Sequence, residues 1–192
     1  MTNATQTNVS VVNGVDRDKL LGTIDHIQAT PSLGKFRFNV RNEWVDGGHN
    51  RSTIESFYGA GSDIKHAIKF ELHTDEPAIL LGEDQGANAG EYLLHALAAC
   101  ITSTMVYHAA ARGIAIEEIE SSVEGAIDLR GFLGLDNTVR KGFQQIRVAF
   151  KIKADVSDEQ LQALSALGQE YSAVLDSITK GVPVSVSAER LV

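Results

Sequence analysis

"EYLLHALAACITSTMVYHAAARG", residues 91–113, holds the only cysteine of the chain, Cys100, in a run free of proline and of internal glycine. Taken back to Ala89 and on to Arg112, with Gly113 as the stop, it predicts a helix of ~24 residues, or ~36 Å. Only Glu91, His95, His108 and Arg112 in it can carry charge near neutral pH, the thiol aside. A helix that is apolar on most sides is a buried one, so this segment is expected to form the spine of the core. At about 100° per residue, Cys100 shares its face with Leu93, Ala96, Leu97, Ser103, Thr104 and Tyr107. Two readings stay open. The cysteine is a small apolar residue in a crowded core, the commonest fate of a free thiol. Or it is a reagent, which needs a cation that this helix does not supply within a turn.

Around the helix the pattern alternates. "KFRFNVRNEWV" sets Phe36, Phe38 and Val40 against Arg37, Asn39 and Arg41, and Asp46-Gly47-Gly48 then turns the chain into "NRSTIESFYG". This is a hairpin signal. A third run, "HAIKFELHTDEP", opposes Ile68, Phe70 and Leu72 to Ala67, Lys69, Glu71 and His73. After the helix come "IEEIESSVEGAIDL", a glycine-rich loop, and "FQQIRVAFKIKAD", in which Ile146, Val148, Phe150 and Ile152 share one face. "SDEQLQALSALGQEYSAVLDSITKG" is helical, with Ser157 at its start, Gly168 as the expected break and Gly181 as the end. "VPVSVSAERL" closes the chain as an alternating strand. Ahead of the hairpin, Leu20, Leu21, Ile24 and Ile27 mark a short helix capped by Asp16 and stopped by Pro31. Residues 1–15 are polar, small and uncharged, and are expected to form a mobile tail. The order α-β-β-β-α-β-β-α-α-β, rich in hairpins, is an α+β fold with antiparallel sheets in one domain over 16–192.

Composition narrows function. The chain has 192 residues, 43% hydrophobic and 22% charged, with a net charge of −8. No lysine/arginine cluster offsets that charge, so a nucleic-acid partner is not expected. "LLHALAACITSTMV" is too short and too polar to cross a membrane, and no leader pattern opens the chain, so a cytoplasmic location is expected. One cysteine cannot form an internal disulfide, and the six histidines fall into no zinc-ligand spacing. No metal and no cofactor is expected.

"EYLLHALAAC" resembles the cysteine-helix signature of the OsmC/Ohr family, in which an acidic residue opens a long buried helix. The "EWVDGG…R" hairpin before it and "SAVLDSITKGVPVSV" after it are similar to the family's flanking segments, so the resemblance spans roughly residues 33–192. It implies an intertwined homodimer, with antiparallel sheets of both copies wrapped around two long central helices. It also implies a thiol-dependent peroxidase that reduces organic hydroperoxides or hydrogen peroxide in oxidative-stress defence. By the same resemblance Cys100 is the attacking thiol, Arg51 in "GGHNR" its cation and Glu91 its acid, with Ser172 and Trp44 as substrate contacts. Two departures stand out. Ser172-Ala173-Val174 lies where the family carries its second cysteine, so a sulfenic acid on Cys100 needs an external thiol reductant. The family's glutamate falls one place earlier, at Gly90, while Glu91 lies nine residues before Cys100, about 180° around an ideal helix. The other reading is a degenerate, non-catalytic member that binds a small apolar ligand as a dimeric module.

Overall fold

The computed structural model describes residues 10–191. The chain forms two compact units, one ending at His95 and one beginning at Ala96.

The first unit opens with a tight hairpin, β1 (Val11–Val12) and β2 (Val15–Asp16), turned by Asn13 and Gly14 at φ 55° and 75°. Both turn residues sit in the left-handed region that an Asn-Gly pair tolerates. The expected tail over 1–15 otherwise lies outside the described residues. Helix α1 (Arg17–Ala29) starts where expected, because the Asp16 carboxylate accepts from the Lys19 N–H at 3.0 Å. The predicted single strand from Phe36 is two pieces, β3 (Arg37–Phe38) and β4 (Arg41–Asp46), both on the same edge of β5 (His49–Gly59). Strand β6 (Ser62–Thr74) pairs the other edge of β5. Phe36 lies over Gly59, where a Cβ would come within 2.3 Å of its ring, and stacks with Phe38 and Phe57. Asp75 then organises the loop after β6. Its buried carboxylate accepts from the N–H groups of Glu76, Glu83 and Gln85 at 2.8, 3.1 and 3.1 Å. Those bonds, the Gln85 one first, hold its carboxyl below the ordinary carboxylate range.

Helix α2 (Ala89–Ala111) runs across the boundary between the units. At 23 residues it is long and apolar enough to cross a bilayer by length and composition, which corrects the expectation from the shorter run. Its packing nevertheless gives it a place in a protein core. Leu97, Ile101, Met105 and Ala109, spaced at three to four residues, are buried with Leu164. The helix ends at Gly113, φ 71°, in a Schellman closure: Ile114 N–H donates to the Ala109 carbonyl and Gly113 N–H to that of Ala110.

In the second unit β7 (Ile116–Ala126) and β8 (Gln145–Ala154) form a two-stranded antiparallel ladder. Ile146, Val148, Phe150 and Ile152 of β8 pack on the core, as their alternation requires. The glycine-rich connection, expected to be all loop, carries a one-turn helix, α3 (Leu129–Phe132). Helices α4 (Asp158–Glu170) and α5 (Ala173–Lys180) follow. Their break lies at Tyr171–Ser172, not at Gly168. Gly168 instead lets two helices close on one another: a Cβ there would stand 2.3 Å from Met105 Cγ and 3.3 Å from Ile101 Cγ2. Beyond Gly181, at φ 73°, the expected last strand has no ladder; residues 182–191 belong to no strand or helix.

Two outcomes follow from this packing. Gly168→Ala is expected to destabilise the protein by about 1–3 kcal/mol through overpacking, read by chemical denaturation. A wild-type midpoint would show that Met105 relaxes freely. His108, stacked on Tyr171 at 4.9 Å, is held below its ordinary 6.5 by burial first and then by Arg112. Above that value both states carry a neutral ring, so nothing changes. As pH falls from about 6.5 through the lower folded value, the unfolded chain takes the proton first and stability is lost. The drop in melting temperature from pH 7.5 to 5.5 should shrink in His108→Gln; an unchanged drop would remove His108 as its cause.

Candidate functional site

The start of α2 is fixed by a reciprocal cap. Glu91 Oε2 accepts the Asn88 N–H at 2.9 Å, and Asn88 Oδ1 accepts the Glu91 N–H at 2.9 Å. A carboxylate in the first turn also meets the positive end of the helix dipole. The Tyr92 hydroxyl donates to the His73 carbonyl at 3.0 Å and ties the helix start to β6. Glu91 is thus engaged by backbone at the helix entrance.

Cys100 precedes the buried Ile101 by one residue, which rotates it off the seam, and it is half-buried. Ser103 Oγ donates to the carbonyls of Ala99 and Cys100 at 2.9 and 3.2 Å, and Thr104 Oγ1 donates to that of Cys100 at 2.7 Å. Both hydroxyl protons are spent on the helix backbone.

Arg51 belongs to the first unit, on β5, and Cys100 to the second. The carboxylate in touch with Arg51 is Glu43, directly across the strand pair: Arg51 Nη2 to Glu43 Oε2 is 2.7 Å. Arg41 reaches the other oxygen at 3.3 Å. The Arg51 hydrogen bond first, and then the charges of Arg51 and Arg41, hold the Glu43 carboxyl below its ordinary value. The Arg51 guanidinium is raised in turn, chiefly by Glu43. These residues line a cleft of about 380 Å³ on the sheet face, with Asn39, Lys69 and Glu71. Its cations and carboxylates alternate and pair with one another, so the cleft offers fixed dipoles rather than one sign of charge. Sequence reading missed Glu43. The turn alone does not give it: Asp46 pairs His49, and counting outward from there would set Ser52 opposite Glu43, but a register shift between Trp44 and Asp46 brings Arg51 there instead.

Ser172 is 1% exposed and caps α5, its Oγ accepting the Leu175 N–H at 3.3 Å. Trp44 is 70% exposed near the hairpin tip, its indole N–H donating to the Gly47 carbonyl at 3.1 Å. Among the described residues no cluster of three or more His, Cys, Asp or Glu side chains could hold a metal. The nearest approach is a pair, His49 Nε2 and His73 Nδ1 at 2.9 Å.

Residues 82–187, more than half of the chain and the part that contains Cys100, match the family model of OsmC-like proteins. An OsmC-like protein of Mycoplasma pneumoniae shares the fold at 15% identity and a TM-score of 0.57, over 76% of this chain and 89% of its own. A protein of Psychrobacter arcticus described in terms of osmotic-stress induction and detoxification response follows at 14% and 0.56, over 74% and 88%. An organic hydroperoxide resistance protein of Legionella pneumophila matches at 19% and 0.49, over 75% and 91%. No curated protein sequence matches.

The cap geometry sets its own test. Glu91→Ala is expected to cost about 0.5–2 kcal/mol of stability, while Glu91→Gln, which keeps an acceptor for the Asn88 N–H, stays near wild type. Equal losses in urea denaturation would mean that the charge, and not the hydrogen bond, holds the helix start.

Proposed function

Because the chain belongs to the OsmC-like family, we propose that it is a thiol-dependent peroxidase working with a single cysteine. The observation that carries this reading is a half-buried Cys100 on the central helix, inside the matched segment and turned off the packed seam. The Cys100 thiolate attacks the terminal oxygen of an organic hydroperoxide or of hydrogen peroxide. The O–O bond breaks, the S–O bond forms, and the leaving alkoxide or hydroxide takes a proton to become alcohol or water. Cys100 is left as sulfenic acid. Arg51 is the cation in this reading. Its guanidinium is oriented by Glu43, so the acid beside it is Glu43 rather than Glu91.

The chain has no second thiol to close a disulfide. A small thiol of the cytoplasm attacks the sulfenic sulfur, releasing water and leaving a mixed disulfide. A second thiol then restores Cys100 and departs as the oxidised pair. Trp44 offers an exposed apolar ring for the substrate's organic part. Ser172, spent on the α5 cap, contributes structure.

One observation favours a second reading, a non-catalytic ligand-binding member: a buried helix-capping serine stands where a resolving thiol is expected. The rate of Cys100 oxidation by cumene hydroperoxide separates the two. A peroxidase should exceed free cysteine by at least about a hundredfold at pH 7, the range expected of positioned groups, and Cys100→Ser should abolish it. A rate equal to that of free cysteine sinks the peroxidase reading.

A further inference from the structure

Two imidazoles of the first unit meet head to head. His49 stands two residues before Arg51 on β5, and Arg51 lies opposite His73 on β6, so alternation puts both rings on one face of the sheet. His49 Nε2 and His73 Nδ1 are 2.9 Å apart. The ring centres are 5.2 Å apart, as far as that nitrogen contact allows, so the two nitrogens point at each other along one line through both rings. Both side chains are half-buried and their surroundings are fixed. The Tyr92 hydroxyl donates to the His73 carbonyl at 3.0 Å, and a Cβ on Gly86 would run into that same carbonyl. His73 Nε2 faces Glu71 Oε1 at 3.4 Å. His49 lies within electrostatic reach of the buried Asp75 carboxylate.

This is a pair of ligands with its outer partners already in place. A ring N–H facing a carboxylate keeps the proton of neutral His73 on Nε2 and leaves Nδ1 bare toward His49. Such a contact orients a metal-binding ring and makes its bare nitrogen more basic. The line between the nitrogens selects the metal. Zinc takes four ligands in a tetrahedron, and two rings facing head-on do not converge on a bent site. A soft monovalent ion with a filled d shell takes two ligands in line and needs no third. The charge agrees. Glu71 is the carboxylate against His73, and Lys69 at 3.9 Å and Arg51 already draw on it, which suits one added positive charge better than two.

We propose that His49 and His73 form a two-coordinate site for Cu(I), held in line between His49 Nε2 and His73 Nδ1. Rotation of the side chains draws the nitrogens apart to admit the ion. The proton shared from His49 Nε2 moves to its own Nδ1 through solvent, so both rings ligate as neutral imidazoles and the copper stays Cu(I). This site goes beyond the peroxidase reading and does not rest on it.

The test uses the full chain carrying Cys100→Ser, because a thiol competes for a soft cation. Anaerobic titration against a chromophoric Cu(I) chelator should show one bound equivalent. His49→Ala and His73→Ala should each abolish that binding, and Glu71→Gln should weaken it about tenfold or more. X-ray absorption should give two nitrogen neighbours and the edge of two-coordinate Cu(I). A readout that needs none of the ring variants to fold is silver: Ag(I) should shift the ring nitrogen resonances of His49 and His73 and leave those of His26, His66, His95 and His108 in place. A Cys100→Ser chain that takes up no Cu(I), or binding indifferent to either ring or to Glu71, would overturn the proposal. Zn(II) held through the same rings as tightly as Cu(I) would overturn it equally, since the nitrogens would then converge rather than face each other.

Discussion

The contact on which the second unit depends is the closure of α2 on α4 through Gly168. Leu97, Ile101, Met105 and Ala109 make one buried seam along α2, and Leu164 and Gly168 meet it from α4. Only a residue without a side chain admits Met105 at that depth. Every fully buried apolar side chain among the described residues belongs to this unit. The seam also sets what Cys100 can be. A residue on it would be sealed in hydrocarbon, whereas Cys100, rotated by one position, keeps access to whatever meets that side of the helix.

Much of this was legible. The long apolar run between Ala89 and Gly113 forms a helix because nothing in it breaks one, and Gly113 ends it because a left-handed residue closes the last carbonyls. Asp16 and Ser157 cap helices where their short oxygens stand before apolar periods. The misses have physical causes. Asn13-Gly14 is a strong turn signal, but strands of two residues carry no periodicity to flag them. Gly168 looked like a helix breaker because intrinsic propensity counts against glycine; packing against Met105 overrode it. The true break came from Ser172, whose side chain competes for the backbone and starts a new helix. The closing valines do have a strand's pattern, but pattern supplies only one side of a ladder.

The candidate site divides along the same line. That Cys100 would lie on the central helix followed from sequence, since position along a helix is a local property. Partners of charged groups are not local. Glu91 resembled an acid placed for chemistry, yet three residues from an N-cap asparagine it closes a capping box. Arg51 found its carboxylate through strand register, at Glu43. Register follows from a turn only where no bulge intervenes, and here one between Trp44 and Asp46 shifts the pairing by a residue.

The charge around Arg51 constrains any chemistry assigned to it. A guanidinium has five N–H donors, and one edge of it is committed to Glu43. A lone arginine on a sheet face sweeps many rotamers. The cross-strand carboxylate narrows that set before any ligand arrives and orients the remaining donors. It also offsets part of the positive charge, and Glu71 offsets more. An anion meeting Arg51 therefore encounters direction more than net charge. That suits a small anionic group presented along one line better than a diffuse one, because the strength of an oriented hydrogen bond falls off steeply away from its axis.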